Sequence, residues 1–124
     1  MVRWLALLVL TACTASPPVP PPVPGVYRLI SIDGAEFTAR ATLSFPAPDQ
    51  IAGSAPCNAY SGTLASTLPA FSAATLTSTE MGCDDLPAEA VFFAALSAMT
   101  RADVTPSMVS LSNLAGRSMI FVQP

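Results

Sequence analysis

The amino-acid sequence predicts an α+β domain, a mainly antiparallel sheet of short strands with a single helix. Three observations predict it. Short runs rich in β-branched and aromatic residues recur from Val26 onward, separated by turns that contain glycine, proline and asparagine. Only one stretch, beginning near Pro87, repeats its large apolar residues at helical spacing. The last of the apolar runs are paired about a short turn, as in a β-hairpin. Many short strands beside one helix fit an antiparallel α+β domain.

The elements follow in order. Val26-Tyr27-Arg28-Leu29-Ile30-Ser31-Ile32 is a strand-forming run, and Asp33-Gly34 closes it with a hairpin signal. Ala41, Leu43 and Phe45 alternate with Thr42 and Ser44, giving a strand with one buried face. Pro46 and Pro48 are expected to stop it. Ile51 to Ser54 and Tyr60 to Leu64 read as short strands flanking a cysteine, and Phe71 to Thr79 as a threonine-rich extended stretch. The helix begins near Pro87, because proline's missing N–H costs nothing in the first turn. Asp84 and Asp85 before it, and Glu89 within its first turn, suit the positive end of the helix dipole. Phe92, Phe93, Leu96 and Met99 then form an apolar face. Met108 to Leu111 and Ser118 to Val122, joined by Asn113 to Arg117, make the C-terminal hairpin.

The 124 residues allow one domain, with a formal charge of −3. The five basic residues are all arginine (Arg3, Arg28, Arg40, Arg101 and Arg117), and there is no histidine. This excludes a Ser-His-Asp or Cys-His nucleophile, a lysine Schiff base and histidine metal ligation. An acidic chain with scattered arginines also lacks a basic surface for nucleic acid. Charged residues make up 10% of the chain, against roughly 25% in an ordinary soluble domain. The first 24 residues contribute to that skew.

Those residues read as an address and a spacer. Met1-Val2-Arg3 is a cationic start, and Trp4 to Leu10 is an unbroken apolar run with the length of a signal-peptide core, far short of the about 20 residues that span a membrane. Leu10-Thr11-Ala12-Cys13 resembles the bacterial lipobox, in which the cysteine is acylated and becomes the first residue of the mature protein. That resemblance implies a signal peptide at 1–12 and lipidation at Cys13, with enough buried methylene, at roughly 0.8 kcal/mol each, for stable anchoring. Thr14, where an aspartate would favour retention at the inner membrane, implies an outer-membrane lipoprotein facing the periplasm. Residues 14–24, TASPPVPPPVP, are too rich in proline for helix or central strand. They are expected to form a polyproline II tether rising about 3.1 Å per residue. The folded domain is expected at 25–124.

Setting Cys13 aside leaves Cys57 and Cys83, in a compartment where disulfides persist. A bridge between them would stabilise the domain by roughly 3.5 kcal/mol through chain entropy. The alternative is two small buried apolar side chains whose sulfurs do not meet.

Several segments together resemble a known family. Ser54 to Gly62 reads S-A-P-C-N-A-Y-S-G, Ser78 to Cys83 reads S-T-E-M-G-C, Glu89 to Leu96 reads E-A-V-F-F-A-A-L, and a closing hairpin runs from Val109 to Phe121. In this order and spacing they are similar to the META domain of the HslJ-like bacterial envelope proteins. The family motif residues are Asn58, Tyr60, Gly62, Thr79 and Met81, alongside Cys57 and Cys83. Three positions depart from the usual pattern: Pro56 replaces a glycine, Glu80 stands where arginine is common, and Tyr27 replaces a tryptophan. The resemblance implies a small antiparallel sheet curved around a single helix, a secreted or lipid-anchored location, an association with envelope stress, and no settled catalytic residues.

The chemistry of individual residues points the same way. Without histidine or lysine, little would activate Cys57 or Cys83 as a nucleophile, so a structural use is expected. Asn58 is expected to cap backbone groups in a tight turn, with Tyr60 and Gly62 at a strand edge and bend. Glu80, Asp84, Asp85 and Glu89 form a local acidic group, but their spacing matches no calcium loop. No metal, cofactor or nucleic acid is expected. The expectation is a non-enzymatic envelope lipoprotein that binds an envelope protein or ligand or supports stress tolerance, working through the surface around Asn58 to Gly62. A lipid-anchored, disulfide-stapled inhibitor of a periplasmic hydrolase is the alternative.

Overall fold

A computed structural model describes residues 25–124. The expected signal peptide at 1–12, the lipidated Cys13 and the tether at 13–24 lie outside the described residues. The described chain runs β1 (Tyr27–Ile32), β2 (Ala35–Glu36), β3 (Thr42–Ala47), β4 (Gln50–Ser54), β5 (Ala59–Leu64), β6 (Ala73–Ser78), α1 (Leu86–Ala98), β7 (Arg101–Val104), β8 (Met108–Ser112) and β9 (Ser118–Val122). The strands form one sheet in the order β6-β5-β4-β3-β1-β9-β8-β7, with β2 beside β1. All strand pairs are antiparallel, as an α+β chain of hairpins should give.

Alternation sets the core. Leu43 and Phe45 of β3, Ile51 of β4, Tyr60 and Leu64 of β5, Val109 and Leu111 of β8, and Met119 and Phe121 of β9 all point inward. In β1 the inward residues are Tyr27, Leu29 and Ile32, one step off strict alternation. A register shift against β9 between Leu29 and Ser31 supplies the extra residue and turns Ile32 inward. Asp33 and Gly34 both have positive φ, 52° and 81°, as the tight β1–β2 turn requires.

The helix lays Phe92, Ala95 and Leu96 onto this core, with Met99 buried just after its end. Fully burying a side chain such as Leu96 is worth about 2–3 kcal/mol. Asn113 links the helix end to the last hairpin: its Nδ2 donates to the Ala98 carbonyl at 3.1 Å, and its Oδ1 accepts the Ala115 and Arg117 N–H groups.

Three expectations need correction. Pro46 does not stop β3, which continues to Ala47, because the register against β4 shifts between Ser44 and Ala47 and no regular ladder donor is required there. The extended stretch at 71–79 shortens to β6. Phe93 is only half-buried, and Ala95 takes the inner position instead. Asp85 occupies the N-cap position, without a side-chain cap hydrogen bond, and Glu89 lies in the first turn as expected, where its carboxylate also accepts hydrogen bonds from the β4–β5 connection.

Candidate binding surface around the Cys57–Cys83 bridge

The β4–β5 connection is a tight turn, closed by the Ala55 N–H donating to the Asn58 carbonyl at 2.7 Å. Cys57 in this turn is joined by a disulfide to Cys83, with Cα atoms 5.7 Å apart. The bridge ties the turn to the segment that leads from β6 into α1, and both sulfurs are thereby consumed.

Asn58 makes the second tie. Its Nδ2 donates to the Met81 carbonyl at 3.0 Å and to Glu89 Oε2 at 2.7 Å. Its Oδ1 accepts the Thr79 hydroxyl at 2.8 Å and the Met81 N–H at 2.6 Å. Glu89 Oε1 in turn accepts the backbone N–H groups of Cys57 and Asn58 at 3.2 and 2.9 Å. Both side chains are buried at 6% exposure, so each unmade bond would carry a desolvation cost of about 1–3 kcal/mol. The carboxylate is held by donors on the turn, and the helix is thereby pinned to β5.

Tyr60 anchors the next position of β5. Its hydroxyl donates to the Thr42 carbonyl at 2.6 Å, and its ring meets Phe92 and Phe93 edge-on at 5.4 and 5.6 Å. Burial pushes its hydroxyl pKa above the ordinary value. Gly62 lies against β6, where a Cβ would press on Leu76 and the Thr75 carbonyl.

Asn58, Thr79, Met81, Cys57 and Cys83 therefore come together, while Tyr60 and Gly62 pack on the helix and on β6. Met81 sends its side chain outward, 64% exposed, and Thr79 and Cys83 are exposed beside it. Glu89 is the member that the residue pattern did not assign. The available signal was its position as the one charged residue of a mostly apolar helix, which calls for an internal partner. Glu80, Asp84 and Asp85 stay exposed and do not converge with it. Among the described residues no group of acidic and cysteine side chains could hold a metal ion.

Beside the brace, Ala59, Tyr60, Ser61, Thr77, Ser78 and Thr79 line an open depression of about 310 Å³. Its polar character comes from hydroxyls: Ser61 and Thr77 are 3.2 Å apart across the two strands. From Gln50 to Thr79 the chain has no Asp, Glu, Lys or Arg, so β4, β5 and β6 present no fixed charge.

This antiparallel sheet, the helix packed on it and the disulfide-closed motif define a small α+β domain. The META domain family model matches residues 23–124, and the chain belongs to that family. It is similar in fold to a protein from Burkholderia xenovorans solved by NMR, with a TM-score of 0.63, 23% identity and 81% of each chain covered. A second NMR structure matches with a TM-score of 0.61 and 22% identity, covering 80% of this chain and 88% of the other. No curated protein matches the chain.

Proposed function

We propose that this META-domain chain is a non-enzymatic binding module of the cell envelope. A lipid on Cys13 holds it at the outer membrane, facing the periplasm, in a role that supports the envelope under stress. The observation that carries this reading is how the polar groups of the motif are used. Every hydrogen-bonding atom of the Asn58 amide, and both oxygens of Glu89, serve to brace the 55–58 turn. Groups engaged in this way have no free atom with which to take a proton or attack a substrate. The lipobox resemblance at Leu10 to Cys13 and the disulfide both suit an oxidising envelope compartment.

The working surface is the hydroxyl-lined face of β5 and β6 over Asn58 to Gly62. It offers hydrogen bonds without net charge, on a scaffold made rigid by the bridge. The test is fractionation combined with cross-linking in the native host. Cys13→Ser should release the chain from the outer-membrane fraction. Ser61→Arg should leave the chain there but remove its envelope cross-links. A Ser61→Arg chain that keeps every cross-link and fully restores stress tolerance to a deletion strain contradicts the surface assignment.

A further inference from the structure

The two edges of the sheet are built differently. At one edge, the outer side of β7 is covered: Ala102 donates its N–H to the Pro69 carbonyl at 2.8 Å, Phe71 donates to the Thr100 carbonyl at 2.9 Å, and Ala70 bridges Arg101. Its exposed side chains carry the Arg101–Asp103 ion pair. Cover and charge are the usual means of blunting an edge strand.

Among the described residues, the other edge, β6, has neither cover nor charge. There it pairs only with β5, carries the sequence Ala-Ala-Thr-Leu-Thr-Ser, and belongs to the charge-free stretch from Gln50 to Thr79. The pairings Ser61↔Thr77 and Thr63↔Thr75, with the Thr79 N–H donating to the Ala59 carbonyl, place the backbone groups of Thr75, Thr77 and Thr79 toward β5. By the alternation of an antiparallel ladder, Leu76 and Ser78 direct their N–H and C=O groups outward.

We infer that β6 pairs antiparallel with β6 of a second copy of this chain, about a two-fold axis at Thr77, joining two sheets into one. In this register Leu76 of each copy exchanges hydrogen bonds with Ser78 of the other, which satisfies the outward groups on both. Thr77 faces its own equivalent, and Thr75 faces Thr79. Cross-strand threonine pairs stabilise such ladders. An acidic chain would repel its copy at a charged edge, and this edge carries no charge. The strand is thus complementary to itself, as a two-fold interface requires. The pairing leaves the face of β5 and β6 open, so it is independent of the binding role proposed above.

The register makes a sharp test. Directly opposed residues in a non-hydrogen-bonded pair have Cα atoms about 4.5 Å apart, within reach of a disulfide. Thr77→Cys in the full-length chain, expressed in its host and treated with a mild oxidant, should give a reducible species of twice the chain mass. Thr75→Cys lies away from the axis and should give at least about tenfold less. Adding Ser78→Pro to Thr77→Cys removes an outward N–H and should suppress the cross-link, with circular dichroism verifying that the fold persists. Equal cross-linking of the two cysteine variants, or none from Thr77→Cys in a folded chain, overturns the pairing. So does an adduct whose mass differs from twice the chain, which would assign the edge to another polypeptide.

Discussion

Glu89 of the helix holds Asn58 of the β4–β5 turn at two points, through the Asn58 side-chain amide at 2.7 Å and the Asn58 backbone N–H at 2.9 Å. A carboxylate is needed because every group facing it is a donor. Glu89→Gln would set an amide NH2 against one of those donors, and flipping Asn58 to compensate would lose the acceptor for Thr79 and Met81. A loss of about 2–3 kcal/mol is expected. Asn58→Ala should cost a similar amount. In a double-mutant cycle by urea unfolding the two should be strongly non-additive, because both remove the same contact.

The bridge acts on the same turn from the other side. Its residues are 26 apart in sequence, for which chain entropy gives roughly 3.5 kcal/mol. Cys57→Ser with Cys83→Ser should lower the unfolding free energy by about that amount or somewhat less, because Asn58 still restrains the 79–83 segment. Denaturant curves with and without a reductant, run on wild type and the double variant, measure this directly: the reductant should have no effect on the variant.

Close packing beneath Tyr60 predicts a contrast between two glycines. A Cβ at Gly53 would run into the Thr42 carbonyl and the Tyr60 hydroxyl, whereas one at Gly82 meets nothing. Gly53→Ala should therefore destabilise by about 2 kcal/mol or more, and Gly82→Ala should be close to neutral. Thermal melts of the two variants provide the comparison.

Asp33 supplies a pH dependence. The Ser118 N–H and the Arg117 guanidinium hold its carboxyl below the ordinary value of 3.8. The folded pKa lies below the unfolded one, so the unfolded chain binds the proton more readily. The contribution is therefore present above the unfolded value and fades as the pH falls through the folded one. Asp33→Asn tolerates the positive φ and should flatten the acid limb of the stability curve, by lowering stability at neutral pH while changing it little below the folded pKa; urea unfolding across the acid range checks this.

What the sequence revealed and what it hid both have physical causes. The alternation of Ala41, Leu43 and Phe45, the Asp33-Gly34 turn and the C-terminal hairpin are local patterns, and each produced its element. β7 escaped notice because Arg-Ala-Asp-Val is too short to show an alternation against its charges. The inward turn of Ile32 depends on a bulge set by its partner strand. The candidate site divides along the same line. Cys57, Asn58, Thr79, Met81 and Cys83 were visible as motifs, but the contact between Glu89 and Asn58 links residues 31 apart in sequence and follows only from packing the helix on the sheet.

The central claim is a lipid-anchored domain closed by its own disulfide, and the intact mass of the protein extracted from its host's membranes tests it most directly. The predicted mass is that of residues 13–124 plus a diacylglyceryl group and an N-linked acyl chain, rising on reduction by one hydrogen at each of Cys57 and Cys83. An unprocessed, unacylated chain whose mass does not change on reduction would contradict both the anchor and the bridge.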